Sequence, residues 1–203
     1  PQCLEGPSIP VANELISICD LTIPTGGPAM VKAAYSSGKP AYGVGAGNAT
    51  MVIDETADVN EAARNTAISK TNDHGSGCSA DGNLLVDASI YDAFLAALQR
   101  EGGYVVDDRE KALLQAVYWD TEGRRTADTI ARPAAAIAAR AGFPLPEDKT
   151  FLVAPEEHIG KEHPFSREKL GVVVSIFKYG GFDRALGLVR ENFVARGKGD
   201  SSG

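Results

Sequence analysis

Met51-Val52-Ile53-Asp54-Glu55-Thr56-Ala57-Asp58, then the run Val59 to Lys70, the polar loop Asn72-Asp73-His74-Gly75-Ser76-Gly77-Cys78-Ser79, and Leu84-Leu85-Val86 decide the fold class. The first three residues form a short apolar run with two β-branched side chains, which reads as a strand. Asp58 is a helix cap, and Val59, Ala62, Ala63, Thr66 and Ala67 recur on one face of the helix that follows. Leu84 to Val86 is a second strand, of the buried type. Strand, helix and strand in this order suit a parallel sheet, so the chain is expected to be α/β.

The alternation continues on both sides. Upstream, Ser8 caps a helix carrying Val11, Leu15 and Ile16, with Pro10 tolerated in its first turn. A strand from Leu21 to Ile23 runs into Thr25-Gly26-Gly27, and Pro28 opens a helix with Met30, Val31 and Ala34. A strand from Ala41 to Val44 then meets the turn Gly43-Val44-Gly45-Ala46-Gly47-Asn48. Downstream, helices are expected from Asp87 or Ala88 to Gly102, from Arg109 to Trp119, from Pro133 to Arg140 and from Phe182 to Phe193. Strands are expected at Phe151–Val153 and Gly171–Phe177. The glycine-rich turn near Asn48 is the best boundary, dividing the chain into residues 1–47 and 48–203.

A chain of 203 residues with 43% apolar content can build a proper core. Its net charge of −7 and scattered basic residues argue against a nucleic acid or an anionic membrane as partner, and for a small molecule. Cys3, Cys19 and Cys78 are an odd count at wide spacing, which points away from a disulfide framework and towards a reducing, cytoplasmic setting. No stretch has the continuous apolar length of a membrane span, and both ends look cut.

Cys78 is the residue most worth explaining. A cysteine is usually a small buried hydrophobe, and Cys19, between Ile18 and Leu21, is assigned to the core on that ground. Cys78 has glycines and small polar residues around it instead. A thiol there can reach a substrate and be ionised by nearby backbone N–H groups, as a nucleophile requires. His74 lies four residues away, but dyad partners generally meet through the fold and no third orienting group is evident. A solvated loop histidine is the expectation. His158 and His163 sit in the charged loop Glu156 to Glu162 and read as surface, so no metal site is expected. Gly26-Gly27 at a helix start can bind an anion or form a tight turn, and neither it nor Gly43–Gly47 matches the dinucleotide fingerprint. Glu168 alone reads as a surface charge.

The combination says more than its parts. Thr25-Gly26-Gly27-Pro28 before a helix, Ser36-Ser37-Gly38-Lys39-Pro40, the Gly43–Asn48 turn, Val52 to Asp58, the Cys78 loop and Pro164-Phe165-Ser166-Arg167-Glu168-Lys169-Leu170 occur in one order and spacing. Together they resemble the aldehyde dehydrogenase superfamily, in its CoA-acylating branch. The resemblance implies an α/β catalytic domain, with a mostly parallel sheet flanked by helices, over residues 48–203. Residues 1–47 would be the last segment of the NAD-binding domain. It further implies that Cys78 attacks an aldehyde to give a thiohemiacetal and then a thioester, with the Cys78 backbone N–H helping to hold the oxyanion. Thr25, Gly26 and Gly27 would admit NAD or NADP, and Glu168 would hold the nicotinamide ribose.

The family's hydrolytic members carry a glutamate in the glycine-rich turn, at the place of Gly43 here. Without that base, attack by water is slow, whereas CoA brings its own thiol. Acyl transfer to CoA is therefore expected. The polar Ser76, Ser79 and His74 favour a small aldehyde with a polar or anionic end, and sulfoacetaldehyde is the leading choice. The resemblance implies a homo-oligomer when full length, and an isolated chain that is inactive because it lacks counterparts of the family's first strands, oxyanion asparagine and last strand. Two other readings are a catalytically silent, nucleotide-binding or oligomer-forming relative, and a thiol hydrolase using Cys78 with His74.

Overall fold

The computed structural model describes residues 3–45 and 47–196. The terminal residues read as cut ends, Pro1 and 199–203, lie outside the described residues. The chain forms two compact units, Pro1–Ala46 and Gly47–Gly203.

The first unit holds α1 (Ile9–Ile18) and α2 (Pro28–Tyr35). Ser8 caps α1, its hydroxyl accepting from the Val11 N–H at 3.4 Å, and Pro10 falls in the first turn. The two strands expected here reduce to isolated parallel bridges, Thr22 with Ala41 and Thr25 with Val44. Pro24 and Pro40 supply no N–H, so the ladder cannot run on. Cys19 is half-buried rather than in a core, because neighbouring Ile18 is turned outward at 66% exposure.

The second unit is built on a five-stranded sheet. Its elements in chain order are β1 (Thr50–Ile53), α3 (Val59–Thr71), β2 (Asn83–Asp87), α4 (Tyr91–Arg100), β3 (Gly103–Val105), α5 (Asp108–Tyr118), α6 (Ala134–Ala141), β4 (Phe151–Glu156), β5 (Val173–Tyr179) and α7 (Phe182–Arg196). The strand order is β1-β2-β5-β4-β3 and every pairing is parallel. Sequence reading misses β3, since three residues after a helix-ending glycine show no periodicity. The last strand in sequence, β5, occupies the centre. Its apolar run fits that place, with Val173, Val174, Ile176 and Phe177 all buried.

Local signals set the helix starts. Asp58 accepts from the Asn60 and Glu61 N–H groups at 3.0 Å, and Asp107 with Glu110 forms a reciprocal capping box on α5. Gly142, at φ 86°, closes α6 in the left-handed conformation that glycine adopts without steric cost. The sheet is covered on both faces. Leu84 and Val86 join Phe94, Leu98, Leu114 and Phe151 in the larger core, while Leu85 faces the other way to pack with Phe177, Tyr179, Ala185 and Leu188. Burying each leucine or phenylalanine contributes about 1.5–3 kcal/mol.

One stretch of this core is polar. Asn48, Thr50, Asn83, Ser166 and Asn192 are all buried where β1 and β2 begin. The Asn192 amide donates to the Asn48 carbonyl at 3.1 Å and to Thr50 Oγ1 at 2.9 Å, tying α7 to the entry of β1. The Asn48 and Asn83 amides both donate to the Ser166 carbonyl, at 2.7 and 3.2 Å. Gly82 lies so close to Asn48 Oδ1 that a Cβ there would overlap it. Buried amides are tolerated when paired and costly when not. Replacing Asn192 with Ala leaves the Asn48 carbonyl and the Thr50 hydroxyl only their mutual bond at 3.1 Å and removes an acceptor of the Asn83 amide, and should cost about 1–3 kcal/mol. Urea denaturation of the variant measures this, and an unchanged midpoint would show the network to be dispensable.

Candidate active site around Cys78

The thiol of Cys78 is exposed. Its loop leaves the end of α3 through a 3-10 turn, Asn72–Gly75, in which Asp73, His74 and Gly75 all have positive φ, at 46°, 52° and 67°. Two of these are not glycine, and that conformation is held only where the surroundings insist on it. The surroundings are backbone: a Cβ on Gly75 would stand 2.6 Å from the Gly171 carbonyl oxygen and 3.1 Å from Lys70 Cε. On the far side, the Asp81 N–H donates to Ser69 Oγ at 2.9 Å and returns the chain to β2.

Between these anchors Cys78 follows Gly77 in a tight turn closed by the Ala80 N–H on the Gly77 carbonyl at 3.0 Å. A Cβ built on Gly77 meets nothing within 4 Å, so the space beside the thiol is open. The Cys78 backbone N–H donates to no acceptor among the described residues. Ser69, Asn72, Asp73, Gly77, Ser79 and Ala80 line a hollow of about 240 Å³ next to it. His74 is exposed and makes no hydrogen bond among the described residues, leaving nothing to orient it toward the thiol.

The segment Pro164 to Gly171 is the loop's neighbour, and three consecutive residues in it point to different tasks. Arg167 reaches outward, donating to the Gly123 carbonyl at 2.8 Å and the Lys161 carbonyl at 2.6 Å. Glu168 is half-buried and its Oε2 lies 3.2 Å from Arg125 Nη1. Lys169 turns into the core, where Nζ donates to the carbonyls of Phe165 and Arg167, at 2.6 and 2.9 Å, and to Ser175 Oγ at 3.2 Å. Those acceptors match the three N–H groups of an ammonium. Burial pushes the Lys169 pKa well below the usual lysine range, Lys70 acts in the same sense, and Glu156 and Glu168 oppose them. The Cys78 and Glu168 segments thus meet through Gly75 and Gly171, each three residues from its functional side chain.

Sequence reading overlooks Lys70 and Lys169. Both are 2% exposed, and a lysine in a polar stretch is ordinarily a surface residue. A usable signal is present for Lys70: it continues the buried face Ala63, Thr66, Ala67 of α3. Burial lowers its pKa to about 8, against the opposing pull of Asp81. The Asp81 carboxyl is itself raised by burial, in spite of hydrogen bonds from Thr66 and Ser69 and the charge of Lys70.

In the first unit, Thr25, Gly26 and Gly27 lead into α2 and are exposed. The Gly26 N–H donates to the Val44 carbonyl at 3.1 Å, and Gly27 is the N-cap, with Pro28 in the first turn. This open helix start, with nothing within 4 Å of a Cβ on Gly27, suits a phosphate-bearing ligand approaching the backbone. Gly43 is different. A Cβ there would come within 2.5 Å of Val31 Cγ1 and 3.0 Å of the Tyr35 ring, and its N–H donates to Tyr35 Oη at 2.9 Å. The Val31 and Tyr35 side chains of α2 crowd any larger residue at this place.

A model of the aldehyde dehydrogenase family matches residues 23–108. The chain is 39% identical over 196 residues to a bifunctional aldehyde-alcohol dehydrogenase of Escherichia coli (strain K12), covering 96% of this chain and 22% of that protein. It is 39% identical over 207 residues to a sulfoacetaldehyde dehydrogenase of an Acholeplasma species, covering 100% of this chain and 42% of the relative. The structure of an acetylating aldehyde dehydrogenase from Geobacillus thermoglucosidasius superposes with a TM-score of 0.89 at 38% identity, over 94% of this chain and 42% of that one. The chain therefore spans less than half the length of these relatives, and its resemblance to the acylating branch runs over nearly all of its own.

Two outcomes follow from the buried lysine and the crowded glycine. The folded-state pKa of Lys70 lies below the ordinary 10.5, so the unfolded chain binds that proton more tightly. Its burial penalty, on the order of 3 kcal/mol, is fully present below pH 8 and is relieved as pH rises towards 10.5. Lys70→Met should flatten the rise in stability between pH 8 and 10 in denaturant titrations, and equal slopes would contradict this assignment. Gly43→Glu should lower stability by about 1–3 kcal/mol through overpacking, read as a drop in the thermal midpoint.

Proposed function

We propose, on the premise that residues 23–108 are an aldehyde dehydrogenase family segment, that this chain is the nucleophile-bearing part of a nicotinamide-dependent, CoA-acylating aldehyde dehydrogenase. The observation that carries the reading is the exposed Cys78 thiol on a doubly anchored turn, with its own N–H free. In this reading the Cys78 thiolate attacks the aldehyde carbon. A carbon–sulfur bond forms, and the carbonyl oxygen becomes an oxyanion beside the Cys78 N–H. The dinucleotide, when bound, accepts the hydride. The carbonyl is restored as a thioester on Cys78, and the CoA thiol then attacks it, the Cys78 sulfur leaving as thiolate. Aldehyde, CoA and oxidised dinucleotide become acyl-CoA, reduced dinucleotide and a proton.

CoA rather than water is assigned as acyl acceptor because Gly43 bears no carboxylate to activate water, and the Val31 and Tyr35 side chains crowd the place where one would start. Thr25, Gly26 and Gly27 are assigned to the dinucleotide, supported by the open start of α2, and Glu168 to the nicotinamide ribose. NAD or NADP would fit these groups alike. Residues 1–47 are assigned to the end of the cofactor domain and 48–203 to the catalytic domain. A cytoplasmic setting accords with three free cysteines among the described residues, and a homo-oligomer is the expected full-length form. For substrate we propose a small aldehyde with a polar or anionic end, with sulfoacetaldehyde first. Exposed His74 and Ser79 beside the thiol support this, as does the name of the Acholeplasma relative.

The test is a dinucleotide-reduction assay on the full-length enzyme, with sulfoacetaldehyde and acetaldehyde each run with and without CoA. Product should be acyl-CoA, and Cys78→Ser should lower kcat by at least about a thousandfold. Free acid formed at a rate indifferent to CoA would overturn acyl transfer. A preference for acetaldehyde would overturn the substrate choice alone.

A further inference from the structure

Arg125 is a residue to which neither composition nor spacing draws attention. It lies at the end of a small hairpin that follows α5, where Trp119 and Arg125 form an antiparallel bridge. The turn is stiff. Asp120 Oδ1 accepts from the N–H groups of Glu122 and Arg124, at 2.9 and 2.8 Å, and the Gly123 N–H donates to the Asp120 carbonyl at 2.9 Å. Arg167 clamps the hairpin to the Glu168 segment through the Gly123 carbonyl. The Arg125 guanidinium is therefore presented to Glu168 from a fixed base. Its Nη1 donates to Glu168 Oε2 at 3.2 Å, and each side chain is 25% exposed. Glu168 is its one acidic partner among the described residues; the same Nη1 also lies 3.5 Å from the Glu168 main-chain carbonyl, and Nε is buried with no acceptor. Glu168 Oε1 accepts no hydrogen bond among the described residues.

We propose that Arg125 is a positioning residue for the dinucleotide: it occupies Glu168 Oε2 and leaves Oε1 to accept a hydroxyl of the nicotinamide ribose. This rests on the reading of Glu168 given under Proposed function. A carboxylate engaged on one oxygen by a cation loses rotational freedom, so the second oxygen meets the ribose with less ordering left to do. Lys169 holds the backbone of the same residue from below, through the Arg167 carbonyl. The guanidinium thus holds Glu168 at its side chain and, at 3.5 Å, at its own carbonyl, while the ammonium holds the preceding carbonyl of Arg167.

The experiment measures steady-state kinetics of the full-length enzyme as wild type, Arg125→Met, Arg125→Lys, Glu168→Gln and the double variant Arg125→Met with Glu168→Gln. Arg125→Met should raise KM for the dinucleotide roughly tenfold while KM for CoA stays put, and Arg125→Lys should recover part of the loss. In the Glu168→Gln background, Arg125→Met should add no further change. A rise of the same size in that background, or a parallel rise in both KM values, would show that Arg125 supports the fold rather than Glu168. If Arg125→Met does not fold, Arg125→Lys decides: an unchanged dinucleotide KM on losing the second arm of the guanidinium, together with the same melting temperature, overturns the proposal. Wild-type enzyme without CoA-dependent dinucleotide reduction would instead refute the functional reading. Active wild type with an indifferent Arg125→Met refutes the role of Arg125 alone.

Discussion

The buried ammonium of Lys169 is the contact on which the rest of the site depends. Its three acceptors, two carbonyls of the Pro164–Arg167 turn and the hydroxyl of Ser175 on β5, bind an otherwise irregular segment to the central strand of the sheet. That segment then carries Glu168 on one side and Gly171 on the other. Gly171 sets the position of Gly75, whose close approach fixes the left-handed run that leads to Cys78. Burying a charge is costly, and the three hydrogen bonds offset that cost. An apolar side chain in the same place would fill the volume without directing the loop.

Polar burial recurs around that anchor. Asn48, Asn83 and Asn192 converge on the Ser166 carbonyl and on the entry to β1, so α7, the starts of β1 and β2 and the Pro164–Gly171 segment share one hydrogen-bonded cluster. The sheet's other surfaces are closed by ordinary apolar packing, which holds elements together without fixing their register to a fraction of an ångström. Amides and an ammonium are directional. Their concentration near the Cys78 loop would give the proposed nucleophile the positional accuracy such chemistry demands.

The proposed preference for a thiol over water as acyl acceptor also involves packing. Gly43 is a place where a carboxylate is missing, and Val31 and Tyr35 of α2 occupy the volume that its Cβ would need. A side chain at this turn therefore requires the Val31 and Tyr35 side chains to move.

The sequence by itself determined the α/β class, the caps at Asp58 and Ser8, the buried face of α3, the open chemistry of Cys78 and the lack of a base at Gly43. All of these are short-range: a period of two or 3.6, a capping residue, a run of small polar neighbours. The tertiary structure decided the strand order with β5 at the centre, the reduction of the upstream strands to single bridges, the short strand Gly103–Val105, the apposition of Gly75 with Gly171, the burial of Lys70 and Lys169, and the pairing of Arg125 with Glu168. Each of these, apart from the one short strand, joins residues far apart in the chain or reverses the usual preference of a side chain for solvent. Periodicity along a segment carries no information about which distant segment will cover it. A lysine, a glutamate or a cysteine acquires its role only when the sheet brings its partner alongside.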